Sequence, residues 1–283
     1  MTTRVFGPRL NLEHLEARDT PATFTVTSTS DVVAGDGVLT LREAMVSIWK
    51  KYDPTNAGIP ALVGVPVADW ANTINFDIEA AQTGAVEILL TAPLPAFYDR
   101  TTINGYSQLG PNGAVGAKRN TAVFGSNADI RIGINGAQLP AGQATGFRSS
   151  REGGVNSYVG RALITGLSLY GFADVAINLS SVGYRSFPNN QFGDEYSEDE
   201  DAVRESNVQV SGNFIGVKPD GATLGTPMNG VGILSTRSSQ VVVGGPTRGD
   251  RNVISNSVTD GIRIENQTNT TAQLTLSFSA SDV

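Results

Sequence analysis

The chain has 283 residues, with 20 Lys and Arg against 27 Asp and Glu for a formal net charge of −7 at pH 7. This length fits one large domain or two small ones. The 32 Gly and 13 Pro exclude a protein built of long helices. Only four of the cations are lysines, so the chain offers no basic face to a nucleic-acid backbone, and we expect no nucleic-acid partner.

Two residue types that carry much enzyme chemistry are nearly missing. The chain has no Cys, and its single His is His14. Disulfides, thiolate zinc sites, iron–sulfur clusters and cysteine nucleophiles are therefore excluded. One chain also cannot assemble a His-based triad or a multi-histidine metal site. We therefore assign no catalytic, cofactor-binding or metal-binding residue, and we expect no cofactor.

The N-terminal segment, residues 1–22, mixes charged and apolar residues and reaches Asp19-Thr20-Pro21 near its end. It is predicted to be a disordered leader, and residues 23–283 are predicted to form a single domain. The leader lacks the apolar centre of a secretory signal. No apolar run approaches the roughly 20 residues that cross a bilayer, so we expect no membrane span.

The domain opens with a strand and a helix. Phe24–Thr29 alternates apolar and hydroxyl side chains, which predicts a half-buried strand. Thr40 and Glu43 stand at the spacing of a capping box, and the apolar residues that follow predict an amphipathic helix from Thr40 to Tyr52. Because this is the only convincing helix signal, its apolar stripe must pack against a sheet. Residues 23–70 are therefore predicted to form an N-terminal strand and a helix that caps the core.

From Asn72 onward the chain consists of short β-type pieces separated by turn residues, and Ile103-Asn104-Gly105 recurs as Ile134-Asn135-Gly136. Such spacing fits a β-sandwich of antiparallel hairpins or a solenoid of stacked coils. The solenoid is favoured because Asn and Asp recur at strand ends, where they tolerate a left-handed backbone and can hydrogen-bond from coil to coil. The predicted strands are Ile74–Phe76, Val86–Leu90, Ile130–Ile134, Leu167–Leu169, Asp174–Ile177, Val208–Val210, Asn229–Ile233, Val241–Val243, Asn252–Ile254, Asp260–Ile264 and Leu274–Phe278.

The residues around the predicted helix carry a resemblance to a known family. The strand is followed by Gly35-Asp36-Gly37 and then by Leu39-Thr40-Leu41-Arg42-Glu43-Ala44. This run resembles the N-terminal module named CSLREA after its consensus, which is found on bacterial surface and secreted proteins. Leu39-Thr40 stands where the family has Cys-Ser. Three later blocks look like the strands that follow this helix in the family: Asn72–Phe76, Leu90–Pro95 and Thr102–Gln108. Four more look like the family's right-handed parallel β-helix repeats: Asn213–Gly216, Pro219–Gly221, Val243–Gly245 and Arg251–Asn256.

This resemblance covers most of residues 12–266, with insertions at 53–69 and 184–205. It implies an all-β fold, namely a right-handed parallel β-helix (solenoid) with an N-terminal capping α-helix. The leader run Leu12–Arg18, followed by Thr20-Pro21-Ala22, is similar to N-terminal tags of planctomycete-type surface proteins. The resemblance therefore implies an extracellular or cell-surface location. No catalytic set of residues travels with this family.

The insertion at 184–205 contains the densest charge in the chain. Asp194–Glu205 holds seven acidic residues against the single cation Arg204. Such a loop can supply several of the about six to eight oxygen ligands that Ca²⁺ takes. The spacing lacks the regularity of an EF-hand or of a calcium β-roll. A solvated loop is the favoured interpretation, and calcium binding is the alternative.

A polysaccharide-acting enzyme is the chief functional alternative. Glycoside hydrolysis needs two facing carboxylates, and a lyase needs a base beside a charge-neutralising cation. Asp174, Asp260, Arg263 and Glu265 fall on predicted strands or at their ends but form no recognisable set, so solvent-facing strand positions explain them better. Some aromatic side chains could stack on sugar rings, although packing explains them better: Trp49, Trp70, Tyr98, Tyr106, Tyr158, Tyr170 and Tyr184.

Taken as a whole, the sequence favours a non-catalytic surface or secreted protein with a structural or adhesive role. We expect a rigid body that presents loops to polysaccharide, matrix or cell-surface partners. The alternative is a lyase or glycoside hydrolase that acts on polysaccharide. Oligomeric state leaves no signal in the sequence.

Overall fold

The computed structural model describes residues 22–52, 71–97, 100–149, 162–180, 208–236, 241–265 and 274–277. These residues contain one α-helix, α1 (Leu41–Tyr52), and sixteen strands. The strands are β1 (Ala22–Val26), β2 (Asn72–Phe76), β3 (Val86–Leu89), β4 (Thr101–Asn104), β5 (Ile132–Asn135), β6 (Thr145–Arg148), β7 (Ala162–Thr165), β8 (Leu167–Tyr170), β9 (Val175–Ser180), β10 (Val208–Ser211), β11 (Phe214–Ile215), β12 (Asn229–Thr236), β13 (Val241–Gly244), β14 (Val253–Ile254), β15 (Ser257–Glu265) and β16 (Leu274–Ser277).

The strands form three sheets whose neighbours are far apart in sequence. The seven-stranded sheet has the order β1-β2-β4-β7-β10-β13-β16, the five-stranded sheet β14-β11-β8-β5-β3, and the four-stranded sheet β15-β12-β9-β6. Every pairing between these strands is parallel. An antiparallel sandwich is therefore wrong for the described part of the chain, because its hairpins would pair consecutive strands in opposite directions.

The chain visits the three sheets in a repeating order. β4, β5 and β6 lie in the seven-, five- and four-stranded sheets respectively, and so do β7 to β9, β10 to β12 and β13 to β15. Each such circuit adds one strand to every sheet, beside the strand of the previous circuit. The described part of the chain is therefore mostly β, and all of its sheets are parallel.

Apolar side chains from successive circuits lie in register and form one continuous core. A one-residue slip would turn each of them to the other face of its strand, so burial of these rows fixes the register. One row belongs to the seven-stranded sheet and is almost completely buried: Phe24, Ile74, Ile103, Ile164, Val210 and Val243. Another crosses the five-stranded sheet: Ile88, Ile134, Leu169, Ile215 and Ile254.

The helix α1 begins with the predicted capping box. The Glu43 carboxylate accepts a hydrogen bond from the Thr40 N–H at 2.9 Å, and the Thr40 hydroxyl accepts one from the Glu43 N–H at 3.2 Å. The other oxygen of Glu43 accepts from the Ala34 N–H at 2.7 Å, which fixes the loop before the helix. Leu41 and Met45 are buried in the main core, and α1 contacts β1 and β2.

Arg42 ties the start of α1 to the neighbouring loops. Its guanidinium donates to the two carboxylate oxygens of Asp31 at 2.9 and 2.8 Å. It also donates to the carbonyls of Pro93 at 2.7 Å and Ala92 at 2.5 Å. Asp31 in turn accepts the Thr91 N–H at 2.7 Å. Arg42 therefore holds two separate loops against the helix.

Asparagine side chains bridge successive circuits where the seven-stranded sheet turns into the five-stranded sheet. Asn213 is fully buried; its Oδ1 accepts the Leu167 N–H at 3.1 Å, and its Nδ2 donates to the Ile164 carbonyl at 2.8 Å. One circuit later, Asn252 Oδ1 accepts the Asn213 N–H at 2.9 Å, and Asn252 Nδ2 donates to the Val210 carbonyl at 2.7 Å. The predicted hydrogen bonds from asparagines at strand ends are confirmed at this corner.

The first strand differs from its prediction over Phe24–Thr29. β1 spans Ala22–Val26 and ends earlier than expected. The reason is that the Thr27 N–H donates to the carbonyl of Leu39 at 2.8 Å, which takes the chain out of the sheet.

The echo between Ile103-Asn104-Gly105 and Ile134-Asn135-Gly136 is not a structural repeat. Its first copy ends β4 in the seven-stranded sheet, whereas its second ends β5 in the five-stranded sheet. The predicted strands Asp174–Ile177, Asn229–Ile233 and Asp260–Ile264 do fall on equivalent strands, namely β9, β12 and β15 of the four-stranded sheet. Their shared register row in the four-stranded sheet contains Ile177, Ile233 and Ile262.

Candidate functional site

The charged residues predicted on strands do not come together as one catalytic set. On β15, Arg263 Nε donates to Asp260 Oδ2 at 2.6 Å, and Arg263 Nη1 lies 4.0 Å from Glu265 Oε1. These three side chains are 37%, 43% and 52% exposed for Arg263, Asp260 and Glu265. Asp174 instead precedes β9 and accepts the Ala144 N–H at 2.8 Å. The result is an exposed ion-pair group on one edge strand, with Asp174 held separately at a corner.

Other described carboxylates also have structural partners. Asp129 lies 3.2 Å from Arg131, and Asp250 accepts the Thr247 N–H at 3.0 Å. Hydrogen bonds from the Thr223 hydroxyl and then from nearby backbone N–H groups lower the pKa of Asp220. An acid catalyst needs the opposite shift. Within the part of the chain that the structure describes, no three His, Cys, Asp or Glu side chains group as metal ligands.

Tyr106 and Tyr170 are packed, and burial raises the pKa of both phenol groups. Tyr170 is 2% exposed and donates to the Glu87 carboxylate; burial and then this bond raise its pKa. Burial also raises the pKa of Tyr106 to about 12, and its hydroxyl donates to the Gly212 carbonyl at 2.7 Å. A proton-abstracting tyrosine needs a lowered pKa. Packing therefore explains both side chains better than sugar binding or base catalysis.

A long connection between β4 and β5, residues 105–131, contacts the connection between β13 and β14 of a later circuit. The equivalent connection one circuit later, between β7 and β8, is Gly166 alone. Within the long connection, Asn120 Nδ2 donates to the Arg248 carbonyl at 3.2 Å, and Arg251 Nη1 donates to the Val123 carbonyl at 2.9 Å. These bonds fasten residues 120–127, which we name the apical turn, to the region before β14.

Two asparagines hold the apical turn in one shape. Asn120 Oδ1 accepts the N–H groups of Ala122 and Asn127, both at 3.0 Å. Asn127 Oδ1 accepts the Thr121 N–H at 2.8 Å, and Asn120 Nδ2 donates to the Gly125 carbonyl at 3.2 Å. The backbone shape therefore rests on amide side chains and main-chain groups, and the apolar side chains of the turn take no part in it.

The apical turn displays two adjacent apolar side chains beside cations. Val123 is 50% exposed and Phe124 is 66% exposed. Arg248 and Arg251 donate to carbonyls of the turn, and Arg119 is exposed immediately before it. Such a pair is a small exposed apolar group that a binding partner could cover. The arginines favour a partner that carries negative charge.

No sequence pattern singled out the apical turn beforehand. The usable signal was an apolar pair, Val123-Phe124, between Asn120 and Gly125-Ser126-Asn127, all turn-forming residues. The cations could not have been assigned to it, because Arg248 is 127 residues away from its partner in the turn.

Several predicted features lie outside the described residues. Residues 1–21 of the leader, the insertion 53–69 and the acidic loop Asp194–Glu205 are among them, so those expectations stay predictions. The side chain of Trp49 in α1 lies outside as well, together with Trp70, Tyr98, Tyr158 and Tyr184. Across the described ranges, no helix is both long and apolar enough to pass through a membrane.

Comparison with known proteins gives no relative. No family model matches the chain, and neither a curated protein nor a solved structure matches it.

Proposed function

We propose that the chain is a non-catalytic structural or adhesive protein, displayed on a cell surface or secreted, that presents loops to polysaccharide or cell-surface partners. In this proposal its body is a right-handed parallel β-helix, α1 caps the N-terminal end of the core, and the CSLREA-like run marks its family. The parallel sheets visited in turn and the contacts of α1 with β1 and β2 support this architecture.

The apical turn carries the functional part of the proposal. Its backbone is fastened by Asn120 and Asn127, and Val123 and Phe124 point into solvent without being needed for that shape. A surface that is rigid before binding loses little conformational entropy on binding. The flanking arginines add attraction for carboxylates or sulfates, so acidic polysaccharides should bind better than neutral ones.

Binding to a panel of immobilised polysaccharides and to bacterial cell envelopes tests the proposal. The variant Val123→Ser/Phe124→Ser should fold normally and lose about tenfold or more in affinity, because about 1.4 kcal/mol of lost apolar burial already gives that factor. Val258→Ser is the matched control, since Val258 is 61% exposed on β15. Equal binding by the double variant and the control would reject the apical turn as the adhesive surface.

The ion-pair group on β15 is the observation that favours the enzyme alternative. Arg263 could neutralise a substrate carboxylate while Asp260 or Glu265 acts on a proton. Incubation with pectin, alginate and neutral glycans should give neither unsaturated products nor new reducing ends. Product formation that disappears in Arg263→Gln would replace the scaffold proposal with a polysaccharide-degrading enzyme.

A further inference from the structure

Unpartnered buried oxygen atoms are concentrated on neighbouring strands of the seven-stranded sheet. Among the described residues, Asn75 Oδ1, Asp77 Oδ1, Asn104 Oδ1 and Thr165 Oγ1 are buried without a hydrogen-bond partner. Two further such atoms, on Thr101 and Ser257, lie outside this group. A buried carboxylate or amide oxygen without a donor is costly, so a set of them requires an explanation.

The strand register places the residues that carry these oxygens next to one another. Asn75 of β2 pairs with Asn104 of β4, and Asn104 pairs with Thr165 of β7. Asp77 follows Asn75 by two residues, which puts both side chains on the same face of an extended chain. The Asp77 N–H donates to the Val26 carbonyl at 2.8 Å, so Asp77 remains against the sheet after β2 ends.

The chemistry of this set matches a hard cation better than a water molecule. Asn75 Oδ1, Asp77 Oδ1 and Asn104 Oδ1 are acceptors, and one of them belongs to a carboxylate. A water molecule has only two hydrogens to donate, whereas Ca²⁺ takes about six to eight oxygens at about 2.3–2.6 Å. Neighbouring strands lie about 4.7–4.9 Å apart, so side chains at paired positions are close enough to share one ion as ligands.

We propose that Asn75, Asp77 and Asn104 provide side-chain ligands of a Ca²⁺ site that joins β2 to β4. Thr165 continues the row one strand further and borders the site on its far side. The site contains one carboxylate, from Asp77, and two amide oxygens, from Asn75 and Asn104. It is also separate from the acidic loop Asp194–Glu205, the only calcium site that the sequence suggested.

Calcium titration of the full chain, after treatment with a chelator, tests the site. Calorimetry gives the number of bound ions and their affinity, and thermal unfolding gives the change in Tm. Asp77→Asn should abolish the binding step and the rise in Tm, while Glu79→Gln should leave both unchanged. Glu79 is the matched control because it is an exposed carboxylate two residues after Asp77.

A gain of affinity provides a second test that does not depend on how Asp77→Asn folds. Asn104→Asp adds a second carboxylate to the site and should tighten Ca²⁺ binding about tenfold or more. A variant with Glu198→Gln, Asp199→Asn, Glu200→Gln and Asp201→Asn separates this site from the acidic loop, and it should keep the Tm rise. The proposal fails if Ca²⁺ does not change Tm in the wild type. It also fails if Asp77→Asn keeps the change or the loop variant loses it.

Discussion

Replacement of Asn213 by Ala probes the hydrogen bonds that join successive circuits. Asn213 is 0% exposed, and it accepts the Leu167 N–H at 3.1 Å and donates to the Ile164 carbonyl at 2.8 Å. Alanine would leave that N–H and that carbonyl buried without partners. Each such group costs about 1–3 kcal/mol, so the free energy of unfolding should fall by about 4 kcal/mol.

Two companion variants make the test specific. Asn252→Ala removes the bonds to Asn213 and Val210 from a partly buried side chain that water can replace, so it should cost only about 1–2 kcal/mol. Asn213→Asp keeps the acceptor for Leu167 but cannot donate to Ile164 when it is ionised. Burial raises the pKa of such a carboxyl above its unfolded value. Its neutral form therefore stabilises the fold below about pH 4, and this contribution is lost as pH rises through the folded pKa.

Urea unfolding followed by circular dichroism measures these effects. The midpoint should shift without a change in slope, as expected when stability changes and the surface exposed on unfolding does not. Asn213→Asp should lie closer to the wild type at pH 4 than at pH 7. A cost below about 1 kcal/mol for Asn213→Ala would refute the reasoning, as would a larger cost for Asn252→Ala.

Three further changes test other contacts. Arg42→Lys keeps the positive charge but loses the paired hydrogen bonds to Asp31, so the free energy of unfolding measured in urea should fall by about 2 kcal/mol. A fall of less than about 0.5 kcal/mol would contradict this role of Arg42. Gly216 has a φ of 81°, and Gly216→Ala would place a Cβ against the Ser255 carbonyl. The free energy of unfolding should fall by about 2–4 kcal/mol, and Tm should fall by several degrees. An unchanged Tm would show that the neighbouring circuit can move away without cost. Tyr106→Phe removes a hydroxyl whose pKa is raised from 10.0 to about 12. The stability linked to its neutral form is present below pH 10 and is lost as pH rises through about 12. The wild type should therefore lose about 1 kcal/mol more than the variant per pH unit between about pH 10 and pH 12. Parallel pH curves over that range would count against this.

Elements whose geometry is decided by near neighbours could be predicted from the sequence. The capping box needs only Thr40 and Glu43 at the right spacing, and the structure has both of its hydrogen bonds. Alternating aliphatic residues predicted most strands, because a strand with a buried face repeats every two residues. Asparagines at strand ends predicted hydrogen bonds between circuits in general, and Asn213 and Asn252 make such bonds.

Features that depend on particular contacts between residues far apart in the sequence could not be predicted. The path of residues 105–131 is set by Arg248 and Arg251, which lie far along the chain. The same three residue types, Ile-Asn-Gly, occur at 103–105 and at 134–136, but the two runs end strands in different sheets. An aliphatic residue followed by turn residues can end a strand in any of the sheets, so the repeat in sequence does not identify equivalent positions. Exposure of Val123 and Phe124 likewise follows from the tertiary contacts that hold the apical turn away from the core.

Disulfide mapping of the seven-stranded sheet tests the parallel stacking of circuits most directly, because the chain has no Cys of its own. In-register residues on neighbouring strands have Cα atoms about 4.8 Å apart, which suits a disulfide, whereas residues two strands apart are about 9.6 Å distant and cannot be joined. One register row provides five neighbouring pairs to be changed to Cys, two at a time: Thr23, Thr73, Thr102, Leu163, Gln209 and Val242.

Each neighbouring pair should oxidise quantitatively in the folded protein, and the pair Thr23 and Thr102 should not. Thr25 and Asn75 should also join, because parallel strands that pair Thr23 with Thr73 pair these residues too. Antiparallel strands would bring Thr25 opposite Ala71 instead. Disulfides along the whole row and between Thr25 and Asn75 are the predicted result. A disulfide between cysteines placed at Thr25 and Ala71, or at Thr23 and Thr102, would contradict the stacking of parallel circuits.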